Sequence, residues 1–199
     1  FEGEHSVIQA IKEKKNLMDS GEPHEHLRIL CIQGGGLMRG VYGVGAALAL
    51  EEMGHTNTFT SLVGISSGAP IVAHFAAGTT AEGLSLLMED CCDPEFVNPW
   101  HFWNQVNSKH FIDVVRSHPK KKIDINKVFA NPAQVYFGAA EYKTALPRLL
   151  FPRNEDHFFK CMHASINMQN VSPYKIIIDG IHYADGGFSN PHVISEAIR

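Results

Sequence analysis

The 199 residues carry 44% hydrophobic side chains and a formal net charge of −4, which suits one domain built around a packed core. That charge balance excludes a basic field able to hold nucleic acid or draw the whole molecule onto an anionic membrane, so any membrane contact has to be local. Cys31, Cys91, Cys92 and Cys161 include a vicinal pair and no C-x-x-C spacing, which fits neither a disulfide framework nor a zinc site and reads as reduced thiols.

No apolar run reaches membrane-spanning length, and the charged N-terminus is unlike a signal peptide. The expectation is a soluble, cytoplasmic chain with at most peripheral membrane contact. It begins at Phe1 and stops within a helical pattern at Arg199, which leaves room for further segments and for an incomplete C-terminal end. Residues 1–26 read as a leading helix and linker: Val7, Ile8, Ile11 and Met18 recur at near-helical spacing between lysines from Ser6 to Asp19, as in a packing accessory. Leu27 to Ile32 is a short apolar run that ends in glycines, and Val41 to Met53 is an alanine- and leucine-rich helix closed by Gly54. Ser61 to Ile65 predicts a second buried strand, and Ala69 to Ala77 a second helix ending at Gly78.

Ala81 to Cys92 continues helical, and the stretch through Phe96, Trp100, Phe102 and Trp103 is aromatic and irregular. Lys120 to Lys122 follow Pro119 as a polar break, which predicts a solvated loop. Gln134 to Thr144 has strand character up to Pro147, and Phe158 to Ile166 reads as a helix. Lys175 to Ile178 and Ile181 to Ala184 flank Asp179-Gly180, a hairpin turn signal that places Asp185 at the end of the second hairpin strand. Repeated strand and helix order indicates a mainly parallel sheet with helices on both faces, and the whole chain reads as a single α/β domain.

Three motifs carry chemistry. Gly64-Ile65-Ser66-Ser67-Gly68 fits G-x-S-x-G between a predicted strand and a predicted helix, where the glycines allow a strained turn that lifts the serine oxygen to a helix N-terminus. Gly34-Gly35-Gly36-Leu37-Met38-Arg39-Gly40 also follows a strand and opens a helix, so its amides can converge on an anion. A dinucleotide fold would want glycine where Arg39 stands, and a Walker loop would want lysine where Val41 stands. An oxyanion hole needs only main-chain donors beside the nucleophile, which adjacent parallel strands supply. Asp185-Gly186-Gly187 closes the hairpin, its glycines letting the carboxylate face the neighbouring strand ends; Asp-Gly is also a plain turn dipeptide.

The ordered set G-x-G-x-x-R-G, G-x-S-x-G and D-G-G resembles the patatin-like phospholipases over roughly Leu27 to Ala197, including Ala164-Ser165 before the hairpin. Gln33 departs from the Asp or Gly that many members have before the glycine loop. The resemblance implies a three-layer α/β/α fold and hydrolysis of carboxylic esters in lipids or phospholipids, with Ser66 as nucleophile and Asp185 as its only catalytic partner. Gly34, Gly35 and Gly36, with Arg39 and Gly40, would form the oxyanion loop, and Gly64, Gly68, Gly186 and Gly187 would support the turns. No cofactor or metal is implied.

Two rivals are weighed against this reading. Ser66, Asp185 and His192 follow the chain order of a Ser-His-Asp esterase, but His192 stands only seven positions after Asp185. A non-catalytic scaffold would be expected to lose one of the three motifs, and all are present. Arg39 reads as an anchor of the glycine loop or a contact for an anionic head group, and His24 and His26 as solvated side chains. The Trp100, Phe102 and Trp103 cluster divides evenly between core packing and a lid or membrane-facing wall.

Overall fold

Residues 5–189 are described by a computed structural model. Two parallel strands rich in bulky apolar side chains, β1 (Leu30–Gln33) and β2 (Ser61–Ile65), run side by side with Gln33 opposite Gly64. The chain between them forms α2 (Gly40–Glu52), and β2 leads into α3 (Gly68–Ala77), a helix buried at every position. Ile71, Val72 and Phe75 of α3 are at most 2% exposed; burying each such side chain stabilises by about 1.5–3 kcal/mol, which fixes the end of β2 firmly.

α1 (Ser6–Ser20) precedes β1, and α4 (Thr80–Met88), α5 (Ser108–Ser117) and α6 (Ile125–Ala130) follow α3. Then come β3 (Gln134–Glu141), β4 (Pro147–Leu150), α7 (Glu155–Ile166), β5 (Ile176–Ile178) and β6 (Ile181–Asp185). The strands form one sheet in the order β1-β2-β3-β6-β5, with β4 also paired to β3. Helices flank this sheet, giving the mixed α/β/α architecture expected. The sheet is parallel across β1, β2 and β3 and antiparallel from β3 onward. The β3–β4 and β5–β6 connections are too short for a crossover and can only join antiparallel strands.

Successive strand residues face opposite ways. Leu62, Phe137 and Ala139 join the main core with α3 and α7, whereas Val63 and Ile65 join a smaller cluster with Leu30, Ile32, Tyr136 and Leu149.

Several elements differ from the sequence expectations. Val7 and Ile8 of α1 are about half exposed; the helix instead sets Ala10 and Ile11 against the core and buries Lys14, whose Nζ donates to Thr60 Oγ1 at 3.0 Å. A lysine stem covers apolar surface when its head group finds an acceptor. α5 lies in a stretch without an assigned element, capped by the Asn107 side chain and burying Phe111, Ile112, Val114 and Val115. Lys121 is a correction to the solvated lysine loop: it is 8% exposed and donates to Glu89 and Asp90, each at 2.6 Å.

Candidate active site

Ser66 sits in the turn between β2 and α3 with φ +54°, a left-handed backbone that a non-glycine residue adopts only when its surroundings hold it there. Those surroundings are explicit. The Ser66 amide donates to Ser165 Oγ at 3.1 Å, and the Ser165 hydroxyl donates in turn to the Gly138 carbonyl at 2.7 Å. Ser165 is fully buried on α7, so one hydroxyl ties the turn to β3. Ala69 N closes the turn onto the Ser66 carbonyl at 2.9 Å, and the N-terminus of α3 places its dipole behind the serine.

The glycine loop follows β1 at the same edge of the sheet. Gly35 lies so close to Ser66 that a Cβ at Gly35 would overlap the Ser66 side chain. Among the described residues no acceptor is bonded to the amides of Gly35 and Gly36. Gly40 does not line the cavity; it is buried at the start of α2 against Ser67, Ile71 and Leu87. Gly68 packs on the carbonyls of Gln33 and Gly34, and Gly64 on the start of α3.

Asp185 ends β6 opposite Ala139 of β3, one position beyond Gly138, which pairs with Ile65. The antiparallel strand thus returns the carboxylate to the level of Ser66. Gly186 crosses directly over the Gly138 carbonyl, where any Cβ would overlap backbone. The Gly187 amide donates to Asp185 Oδ1 at 2.7 Å, and Asp185 N donates to the Asn167 carbonyl at 2.9 Å.

Asp185 is 6% exposed. Burial pushes its carboxyl from 3.8 up to about 6, against the lowering pull of the Ser66 hydroxyl and the Gly187 amide. Among the described residues Oδ2 completes no hydrogen bond of standard geometry, and catalytic pairs are often long until substrate arrives.

Ser66 and Asp185 open onto one cavity of about 790 Å³, lined also by Gly34, Gly35, Gly36, Leu37, Arg39, Met168, Gln169, Val171, Gly187 and Phe188. A narrow apolar recess of about 30 Å³ continues beside Ser66, lined by Leu37, Leu87, Phe96, Val106, Phe111 and Met168 among others. Among the described residues the titratable side chains of the larger cavity are Asp185 and Arg39, and no histidine lines it. His192 lies outside the described residues. No group of three or more metal-ligating His, Cys, Asp or Glu side chains is gathered among the described residues.

The wall from Met168 to Val171 carries no sequence signal. It is shaped by a partly buried polar cluster in which Ser108 Oγ meets His163 Nε2 at 3.0 Å and Ser172 Oγ at 2.8 Å and donates to Asn167 Oδ1 at 3.1 Å. Burial lowers the His163 imidazole to about 4. Asn167 Nδ2 donates to the Tyr174 carbonyl at 2.9 Å, so the residue whose carbonyl holds Asp185 is itself fixed at both ends of its amide. Trp100, Phe102 and Trp103 are 91%, 82% and 85% exposed, which removes the core reading of that cluster. No helix of the described residues is long and apolar enough to cross a membrane.

A strained serine at a strand-to-helix turn, a buried carboxylate and loop amides without a bonded acceptor among the described residues share one cavity, an arrangement suited to acyl transfer in an α/β protein. The patatin-like phospholipase family matches residues 30–198, and the chain belongs to that family. It is 23% identical over 183 residues to the uncharacterized protein YjjU of Escherichia coli strain K12, covering 89% of this chain and 50% of that protein. Its fold is similar to that of VipD from Legionella pneumophila, with a TM-score of 0.58 at 12% identity, covering 82% of this chain and 46% of VipD. The chain thus spans about half the length of both.

Proposed function

We propose that the chain is a lipid acyl hydrolase in which Ser66 is the nucleophile and Asp185 the general base, and that residues 1–199 act as one domain. Ser66 Oγ attacks the ester carbonyl as its proton passes to Asp185, and the amides of the Gly34 to Gly36 loop receive the developing oxyanion. Collapse of the tetrahedral intermediate breaks the C–O bond, and Asp185 returns the proton to the leaving alcohol. Water then attacks the acyl-enzyme as Asp185 takes its proton, and collapse breaks the bond between Ser66 Oγ and the acyl carbon, releasing the fatty acid while Asp185 returns the proton to Ser66.

The single observation that carries this reading is the shared cavity, where a carboxylate raised to about 6 faces a serine held at φ +54°. An ordinary carboxylate is a poor base, and a raised one is stronger while still ionised at neutral pH. An acyl chain lying in the larger cavity against Leu37, Met168, Val171 and Phe188 would expel water and raise it further. Lipid esters supply such a chain, and family membership supports a lipid substrate. A fluorophosphonate probe tests the reading: it should label the chain at Ser66, and labelling should vanish in Ser66→Ala and fall sharply in Asp185→Asn. An unlabelled wild type would favour a non-catalytic scaffold, and a label mapped elsewhere would overturn Ser66 as the nucleophile.

A further inference from the structure

Among the described residues, the most conspicuous apolar surface outside the cavity is the segment 98–105. Its base is a narrow neck in which Val97 and Val106 form an antiparallel bridge, Asn98 N donates to the Gln105 carbonyl at 2.9 Å and Asn107 N to the Phe96 carbonyl at 2.8 Å. The tip is folded on itself, with His101 N on the Asn98 carbonyl at 3.1 Å and Asn104 N on the His101 carbonyl at 3.0 Å. These bonds present Trp100, Phe102 and Trp103 outward, each more than four-fifths exposed, with Phe102 and Trp103 edge to face at 5.8 Å. Each such ring offers on the order of 150–250 Å² of contact area. Three on one short tip exceed the scattered apolar exposure of an ordinary surface.

We propose that this tip docks the protein on a phospholipid bilayer of zwitterionic head groups, inserting Trp100, Phe102 and Trp103 into the interface. Charge selects the occupant. Residues 98–105 contain no Lys, Arg, Asp or Glu, so nothing there attracts an anionic surface or an acidic protein. The polar recess of about 450 Å³ at the neck is lined by Pro94, Glu95, Asn98, His101, Asn104 and Asn107. Among the described residues it holds one carboxylate and no Lys or Arg, and Asn104 Oδ1 there is buried without a partner among them. His110 stands 3.6 Å from the Glu95 carboxylate and neutralises it only when protonated. Such a recess suits the outer cation of a choline-type head group, and indole rings suit the depth at which that group sits.

The neck also connects the surface to the site. Phe96 and Val106, which close the neck, line the apolar recess beside Ser66. Leu37 and Phe188, on the larger cavity, are 42% and 62% exposed. The neck that carries the tip thus also walls the apolar recess beside Ser66. The use of the docked state rests on the hydrolase reading, whereas docking itself does not.

The test uses the 199-residue chain, whose two tryptophans are Trp100 and Trp103, so intrinsic fluorescence reports on the tip. Added phosphatidylcholine vesicles should shift the emission to the blue, brominated phosphatidylcholine should quench it, and raised salt should leave both unchanged. Co-sedimentation should weaken by about tenfold or more when Trp100, Phe102 and Trp103 are all replaced by Ser. That variant should hydrolyse a water-soluble p-nitrophenyl ester as the wild type does and lose rate on vesicle lipid. Trp103→Phe should retain binding with Trp100 as sole reporter. No blue shift, a shift confined to anionic vesicles and abolished by salt, or a concentration-dependent shift without lipid, as in pairing of two copies, would each overturn the proposal. Binding is also measured with Ser66→Ala: a bound chain whose wild type hydrolyses nothing would defeat the hydrolase reading alone.

Discussion

Asp185 pays for its position in the cavity with a cost that can be measured. Its carboxyl is raised from 3.8 to about 6 by burial, so the ionised form is less favourable in the folded chain than in the unfolded one. That group therefore subtracts nothing well below the unfolded value, subtracts progressively as pH rises through this window, and subtracts most above about 6. Asp185→Asn should accordingly raise stability near pH 8 by on the order of 2 kcal/mol, and by little near pH 4. Urea denaturation at the two pH values checks this; equal effects at both would show that the carboxyl is not raised. The same residue predicts that hydrolysis rises with pH through about 6. Ser165 acts at one remove, as a positioning residue. Ser165→Ala would leave the Ser66 amide and the Gly138 carbonyl without their shared partner, at about 1–3 kcal/mol for each buried group. The expected result is a lowered melting temperature and a lowered kcat at nearly unchanged KM. A variant with wild-type kcat would show that the strained turn holds itself.

At the scale of elements, each motif was legible because its residues stand where a strand ends. Gly34, Ser66 and Asp185 follow or close β1, β2 and β6, and strand ends in such sheets are where loops can converge on a ligand. Gly186 shows the physical reason for one motif position. The chain leaving β6 passes over Gly138 without room for a side chain, so Gly186→Ala should cost about 1–3 kcal/mol by overpacking and displace Asp185. Loss of fluorophosphonate labelling in a folded Gly186→Ala protein is the expected outcome; full labelling would mean that β6 shifts without moving the carboxylate. Other elements were not legible. α5 begins within an aromatic, irregular stretch and ends just before Pro119, so its buried Phe111, Ile112, Val114 and Val115 were masked by their surroundings. β4 opens on Pro147, which reads as a stop, yet at this position it pairs antiparallel to β3. Lys121 looked solvated because its acceptors, Glu89 and Asp90, are more than thirty positions away.

At the scale of the molecule, the main core runs from Ile29 to Tyr183 and carries a site open to a cavity of about 790 Å³. The fold class and the three motifs could be read from order and spacing. The cavity wall at Met168 to Val171 could not, because a cluster of Ser108, His163, Asn167 and Ser172 shapes it through tertiary contacts alone. The aromatic tip was readable only as an even choice between core and surface until its exposure was known. The most direct test of the central claim is fatty acid release from mixed phospholipid and p-nitrophenyl ester substrates by the wild type, Ser66→Ala, Asp185→Asn and His192→Ala. Activity should be abolished in the first two variants and retained in His192→Ala. A folded His192→Ala protein as inactive as Ser66→Ala, or full activity in Asp185→Asn, would contradict that claim.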